Sequence, residues 1–193
     1  MIVAASSSFP DNVEVQVSVF KLMNTCIQSD ADQALFVEAG AIEAAAVALT
    51  RHHSDADVAR AVCRILGSLV MGSILNQERA AALGLIESVM TVFAEHPVTD
   101  ENVALAAGRM IMGRSAPPTF VAVSACNAIM ALACGHPAHK ERAGAAGACE
   151  VVVKLLQVRL FFYPNQLAVF FPCSQVTHVL RLRYRLTGPS HRR

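Results

Sequence analysis

Two histidines in one connecting turn, His136-Pro137-Ala138-His139, with Cys134 two residues upstream, are the side chains here best suited to hold a metal. Imidazole and thiolate are good zinc donors. A closed tetrahedral site needs four ligands, however, and neither a second cysteine pair nor a carboxylate stands at ligand spacing. No metal and no cofactor is therefore expected. His52-His53 is the other close histidine pair, and His52 and His96 read as helix C-terminal residues, where an imidazole meets free carbonyls. The carboxylate pairs Asp55/Asp57 and Asp100/Glu101 have the residue types of a general acid–base couple, but they recur at equivalent places in the chain. An active site needs one unique constellation rather than a copy per unit, so these pairs read as helix starts. Met110 and Met112 read as core filling. There is no phosphate-binding loop, dinucleotide fingerprint, nucleophile elbow or His-Glu-x-x-His string. An enzyme is not expected.

The elements that must carry these residues are helices. Hydrophobic residues make up 54% of the 193-residue chain, with Trp absent and only 6% aromatic, and alanine dominates the apolar share. Alanine is the best helix former, so the composition favours closely packed helices over a sandwich or barrel. The net charge of +1 conceals two regions: residues 1–157 carry 10 Lys/Arg and 15 Asp/Glu, whereas residues 158–193 carry six Arg and no acid. The cysteines at 26, 63, 126, 134, 149 and 173 form no Cys-x-x-Cys pair, and most lie on apolar helix faces. They read as reduced thiols, which points to the cytoplasm or the nucleus. Residues 1–10 lack the basic start and apolar length of a secretory signal, and no apolar run of membrane-spanning length lacks breakers.

The chain repeats. Ala39-Gly40-Ala41-Ile42-Glu43, Leu83-Gly84-Leu85-Ile86-Glu87 and Ala146-Gly147-Ala148-Cys149-Glu150 answer to one another, with glycine intervals of 44 and 63 residues. After each glycine, the columns Ile42/Ile86/Cys149, Ala45/Val89/Val152, Ala46/Met90/Val153 and Leu49/Phe93/Leu156 fall at i, i+3, i+4, i+7, one face of a helix. Glycine permits the corner, and Glu43, Glu87 and Glu150 stand in the first helical turn, where negative charge suits the unpaired amides. A short helix precedes each corner, over 32–38, 77–82 and 140–145. A longer third helix is expected over 14–27, 57–70, 102–113 and 119–133, with Asp55 or Asp57 and Asp100 as N-caps. Its apolar stripe is Val58, Val62, Ile65, Leu66 and Leu69 in the second copy, and Val15, Val19, Leu22, Met23 and Cys26 in the first.

A short helix, a glycine corner followed by Ile-Glu, a second helix, and an Asp-Val opening a third, in a unit of roughly 44 residues, resembles the armadillo repeat. HEAT repeats are near neighbours. Tetratricopeptide and ankyrin units, at about 34 and about 33 residues, do not fit the spacing. The resemblance covers residues 12–157 and implies an all-α fold, a right-handed α-solenoid of about ten helices, as a piece of a longer array. It further implies that the third helices line a groove that takes an extended segment of another protein. Importin-like members present a tryptophan there and an asparagine four residues later. This chain has Lys21, Arg64, Arg109 and Asn127 at the first place, and Thr25, Ser68, Gly113 and Ala131 at the second, so nuclear-signal binding of that kind is not expected. Lys21, Arg60, Arg64, Ser68, Arg109 and Asn127 instead suit an acidic or phosphorylated extended segment of a partner protein.

Two features depart from the pattern. Two units of 44 would span 88 residues, yet the second interval is 63, so about 25 residues read as missing at Gly113-Arg114-Ser115-Ala116-Pro117-Pro118. An irregular join is expected at 113–118. From residue 158 the helical register is lost: Leu180, Leu182, Tyr184 and Leu186 alternate with Arg181, Arg183 and Arg185 as in a strand. A lone strand cannot hold itself, so the tail is expected to be poorly ordered. Gln157-Val158-Arg159 can be encoded by CAG-GTG-CGT, which reads like a splice donor, so a retained intron would produce such a basic, aromatic-rich tail. The expected function is a non-catalytic protein-binding scaffold. The alternatives are a regulatory segment of a larger enzyme, or nucleic-acid binding through the arginine-rich tail, with neither nucleic acid nor membrane the expected partner.

Overall fold

The structure, a computed structural model, describes residues 1–97 and 119–151, without the side chains of residues 119 and 120. The chain divides into two units, Met1–Leu155 and Leu156–Arg193. Arg109, Asp100, the expected helix 102–113, the join at 113–118 and the tail 158–193 lie outside the described residues.

The described residues are helical, with no strand among them. The helices are α1 (Ile2–Ser8), α2 (Val13–Cys26), α3 (Asp30–Glu38), α4 (Ala41–His52), α5 (Ala56–Val70), α6 (Ile74–Ala82), α7 (Leu85–Glu95), α8 (Thr119–Ala133) and α9 (Pro137–Ala145). A further helix opens at Ala148. Local signals set the starts. Asn12 caps α2 through Val15 N, and Asp55 caps α5 through Asp57 N and Val58 N. Ser29 and Ser73 cap α3 and α6 through the amides of Asp32 and Asn76, and Pro137 opens α9, where its missing N–H costs nothing. Gly40, Gly84 and Gly147 turn the chain at φ of +87°, +75° and +89°, the left-handed region in which a Cβ is strained.

Helix α5 packs against α2 on one flank and against α8 on the other; α4 lies between α1 and α7 in the same way. Short helices α3 and α6 sit against the pair α4/α5, α6 also against α7/α8, and α9 against α7/α8. Most of the expected stripe is core: Ile42, Ala45 and Leu49, Ile86, Val89 and Phe93, and all five of Val58, Val62, Ile65, Leu66 and Leu69 are buried, whereas Ala46 and Met90 are half-buried and Cys149, the counterpart of Ile42 and Ile86, is exposed. In α2 the stripe is only partly right. Leu22 is 50% exposed and Cys26 is exposed, while Phe20 and Gln16 are buried. Leu22 is the counterpart of Ile65. Helix α5 has α2 and α8 on its two flanks, whereas α2 packs on α1 and α5, and so a different side of α2 is covered. Gln16 ties α1 in place: its amide donates to the carbonyls of Ser6 and Phe9, and its Oε1 accepts from the Ser6 hydroxyl at 2.7 Å. Helix α1 itself was not expected, because Ile2–Ser8 shows no apolar periodicity.

Three polar contacts join one unit to the next, each at matched positions. Arg79 Nε donates to Glu43 Oε1 at 2.5 Å and Arg142 Nη2 to Glu87 Oε1 at 2.7 Å, while the same guanidiniums reach the carbonyls of Val37 and Ala81. Gln33 Nε2 donates to the Ser68 carbonyl at 2.7 Å, and Gln77 Nε2 to the Ala131 carbonyl at 2.8 Å. His52 Nε2 donates to the Pro10 carbonyl at 2.7 Å, and His96 Nε2 to the His53 carbonyl at 3.0 Å. These histidines join successive segments, which corrects the expectation that they cap their own helix ends.

The pairing also revises the reading of the 63-residue interval. Helices α5 and α8 are both 15 residues long, start 63 residues apart, pack directly on each other and receive the equivalent Gln33 and Gln77. Thus α8 is the direct counterpart of α5. The interval is one unit with 19 residues more than the 44-residue period, placed between α7 and α8, rather than two units short of about 25.

Candidate functional site

The side of α2 and α5 left open by this packing, with the half-buried residues at matching positions of α8, is the candidate surface. On α5 the residues turned away from the core are Asp57, Arg60, Arg64, Gly67 and Ser68; on α2 they are Glu14, Ser18, Lys21 and Thr25. Lys21, Arg64 and Asn127 occupy matching positions of three successively packed helices. Lys21 and Arg64 are exposed, and Ser68 and Asn127 are half-buried. Among the described residues no carboxylate pairs with Lys21 or Arg64. Arg60 differs: its guanidinium is bound to Asp57 Oδ1 at 3.0 Å, one turn back on the same helix. Asn127 is flanked on α8 by Val123 and Met130, both half-buried, so the basic character of α2 and α5 gives way to apolar and neutral groups on α8.

At the N-terminal ends of α2 and α5 an open cleft is lined by Val13, Glu14, Val17 and Ser18 from one helix and by Asp55 and Asp57 from the start of the other. Asp55 spends Oδ1 on two amides of its own helix, at 3.0 and 2.9 Å. The cleft is acidic, a feature the sequence reading missed because it took these carboxylates only as helix starts. The matched spacing of Glu14 to Lys21 and of Asp57 to Arg64, seven residues in each case, was the available signal.

The other chemical candidates resolve differently. The rings of His136 and His139 stack with centroids 4.3 Å apart; His139 is buried and its Nδ1 meets the Leu132 carbonyl at 3.0 Å. His136 Nε2 lies 3.7 Å from Glu78 Oε1. Among the described residues no group of three or more His, Cys, Asp or Glu side chains is placed to hold a metal ion. Cys63 and Cys126 are buried, and burial pushes their thiols up to about 12 and about 11, away from thiolate chemistry. Cys26, Cys134 and Cys149 are exposed free thiols. Gly40, Glu43, Gly84 and Glu87, with Gly147, occupy their expected corner positions, and Glu150 is exposed in the helix that opens at Ala148. Sequence reasoning assigned Glu43 and Glu87 to the helix dipole alone. Their arginine partners were visible as a column, Arg79 and Arg142, each five residues before a corner glycine. Among the described residues no single helix is long and apolar enough to cross a membrane.

Comparison with protein-family models, with curated proteins and with solved structures finds no match to this chain.

Proposed function

We propose that residues 12–157 form an armadillo-type α-solenoid acting as a non-catalytic scaffold, which holds an extended segment of another protein along the face of α2, α5 and α8. The observation that carries this is the recurrence of the Glu–Arg, Gln–carbonyl and His–carbonyl contacts at matched positions. Units that dock through the same interactions present the same helix to the same side each time, which is how repeat proteins build extended binding surfaces. On that side the free cations Lys21 and Arg64 suit an acidic or phosphorylated residue of the partner, since charged hydrogen bonds to carboxylate or phosphate are the strong ones. The buried free thiols Cys63 and Cys126 fit a reducing compartment, the cytoplasm or the nucleus.

The test uses the full chain and a fluorescein-labelled peptide array containing glutamate-rich and phosphoserine peptides. Lys21→Glu with Arg64→Glu, both at exposed positions, is expected to weaken capture by about tenfold or more, since two attractions become repulsions. Unchanged capture would remove this face from consideration.

A further inference from the structure

The positions through which each unit meets the one before it carry different residues at the start of the stack. In α6 and α9 the place five residues before the corner glycine holds Arg79 and Arg142, which bind Glu43 and Glu87 of the preceding unit. In α3 that place holds Leu35, 65% exposed. His52 and His96, at the ends of α4 and α7, donate to carbonyls of the preceding segment. At the end of α1 the matching place, four residues before α2 as His52 is before α5, holds Phe9, 57% exposed. A third difference lies on the long helices. Ala61, Ile65 and Leu69 of α5, and Ser124, Ala128 and Leu132 of α8, are buried at matching positions. Their counterparts on α2, Ser18, Leu22 and Cys26, are exposed, because α2 has α5 on one flank and no such helix among the described residues on the other.

Both polar links are thus lost at this end, and an apolar group stands in the place of each, beside an uncharged stripe. An exposed apolar face of this kind marks an association surface. A head-to-tail contact with the far end of another copy does not suit it. There Glu150, at the place of Glu43 and Glu87, is exposed and has no ion pair among the described residues, and Leu35 would bury that carboxylate with no cation to meet it. Pairing with the same face of a second copy carries no such conflict. Close to a two-fold axis each residue meets its own kind, so a charge on the stripe would face a like charge, and Ser18, Leu22 and Cys26 carry none. We infer that the chain forms a two-fold dimer through this end, with Leu22 and Cys26 of α2 packed on α2 of the second copy and Phe9 and Leu35 beside them. The contact continues the stack: α2 receives from the second copy the helix that α5 receives in α2 and α8 receives in α5. This goes beyond the scaffold reading and does not depend on it.

Sedimentation velocity on the full chain should show a monomer–dimer equilibrium in the micromolar range. Leu22→Lys with Leu35→Lys, both at positions exposed in the single chain, should weaken dimerisation by at least about a hundredfold, since a two-fold contact doubles every substitution and sets like charges together. Circular dichroism should show unchanged helix content in that variant. Glu150→Lys should leave the dimer intact. On the unaltered chain, iodoacetamide labelling of Cys26 should slow as the dimer fills, while Cys134 and Cys149 are labelled at a constant rate. A chain that is monomeric at every concentration overturns the inference. So does self-association that survives Leu22→Lys with Leu35→Lys, or that Glu150→Lys abolishes, because either assigns it to another surface. A dimer in which Cys26 still reacts at its monomer rate overturns it without recourse to any variant.

Discussion

Gly40 and Gly84 hold φ values of +87° and +75°, and a Cβ at either would meet only a glutamate carboxylate oxygen, at 3.7 and 3.9 Å. The cost of a side chain there is thus conformational rather than steric. Gly84→Ala should destabilise the protein by about 1–2 kcal/mol in urea denaturation, the penalty of a left-handed residue with a Cβ. The thiols separate by burial. With Cys63 raised to about 12 and Cys126 to about 11, iodoacetamide at pH 8 should label Cys26, Cys134 and Cys149 in minutes. Cys63 and Cys126 should be labelled only after denaturation, as read by peptide mass spectrometry. Rapid labelling of Cys63 would contradict the packing of α5.

Among elements, the start of α5 and the joint between α9 and α7 make separable predictions. Asp55→Ala removes a cap that accepts two amide hydrogen bonds and should cost about 1 kcal/mol. Asp55→Asn should retain most of that stability. At the joint, burial pushes the Glu87 carboxyl up, but the hydrogen bond and charge of Arg142, with a backbone amide, outweigh it and hold the group below its ordinary value. A carboxyl lowered in the folded state gives stability that is present above its unfolded pKa and lost as pH falls through the folded one. Arg142→Ala should therefore lower stability at pH 7, with the difference from the unaltered protein shrinking as pH drops below about 4.5. Both side chains are about half exposed, 43% and 54%, so the effect at pH 7 is at most about 1 kcal/mol. A loss that did not vary with pH would assign the role to packing of the arginine stem instead.

For the molecule as a whole, α5 is the element on which the others depend, because it packs on both α2 and α8 and buries nine of its fifteen residues. Leu66→Ala should cost about 2–5 kcal/mol by transfer and cavity terms and shift the unfolding of the entire described region. A mild, local effect would mean that the units do not share a core. The repeat, the helical character, the glycine corners and the stripe of α5 were legible in the sequence, because each depends on residues a few positions apart and on a period that copies itself. Helix α1 was not, since Ile2–Ser8 has no stripe and is fixed by the side chain of Gln16 from the next helix. Nor was the exposure of Leu22, which depends on which helices flank α2. The basic row at Lys21, Arg60 and Arg64 was found by register alone; that Arg60 is already bound to Asp57, and that Glu14, Asp55 and Asp57 gather into one acidic cleft, were not. Local spacing determined which side chains share a helix face. Only the tertiary packing decided which faces meet: it put α8 against α5 and joined Arg142 to Glu87 across 55 positions of chain. The physical reason is that helix periodicity is set by bonds within a few residues. The choice of neighbour is set by the apolar area and polar partners that two distant segments can cover together.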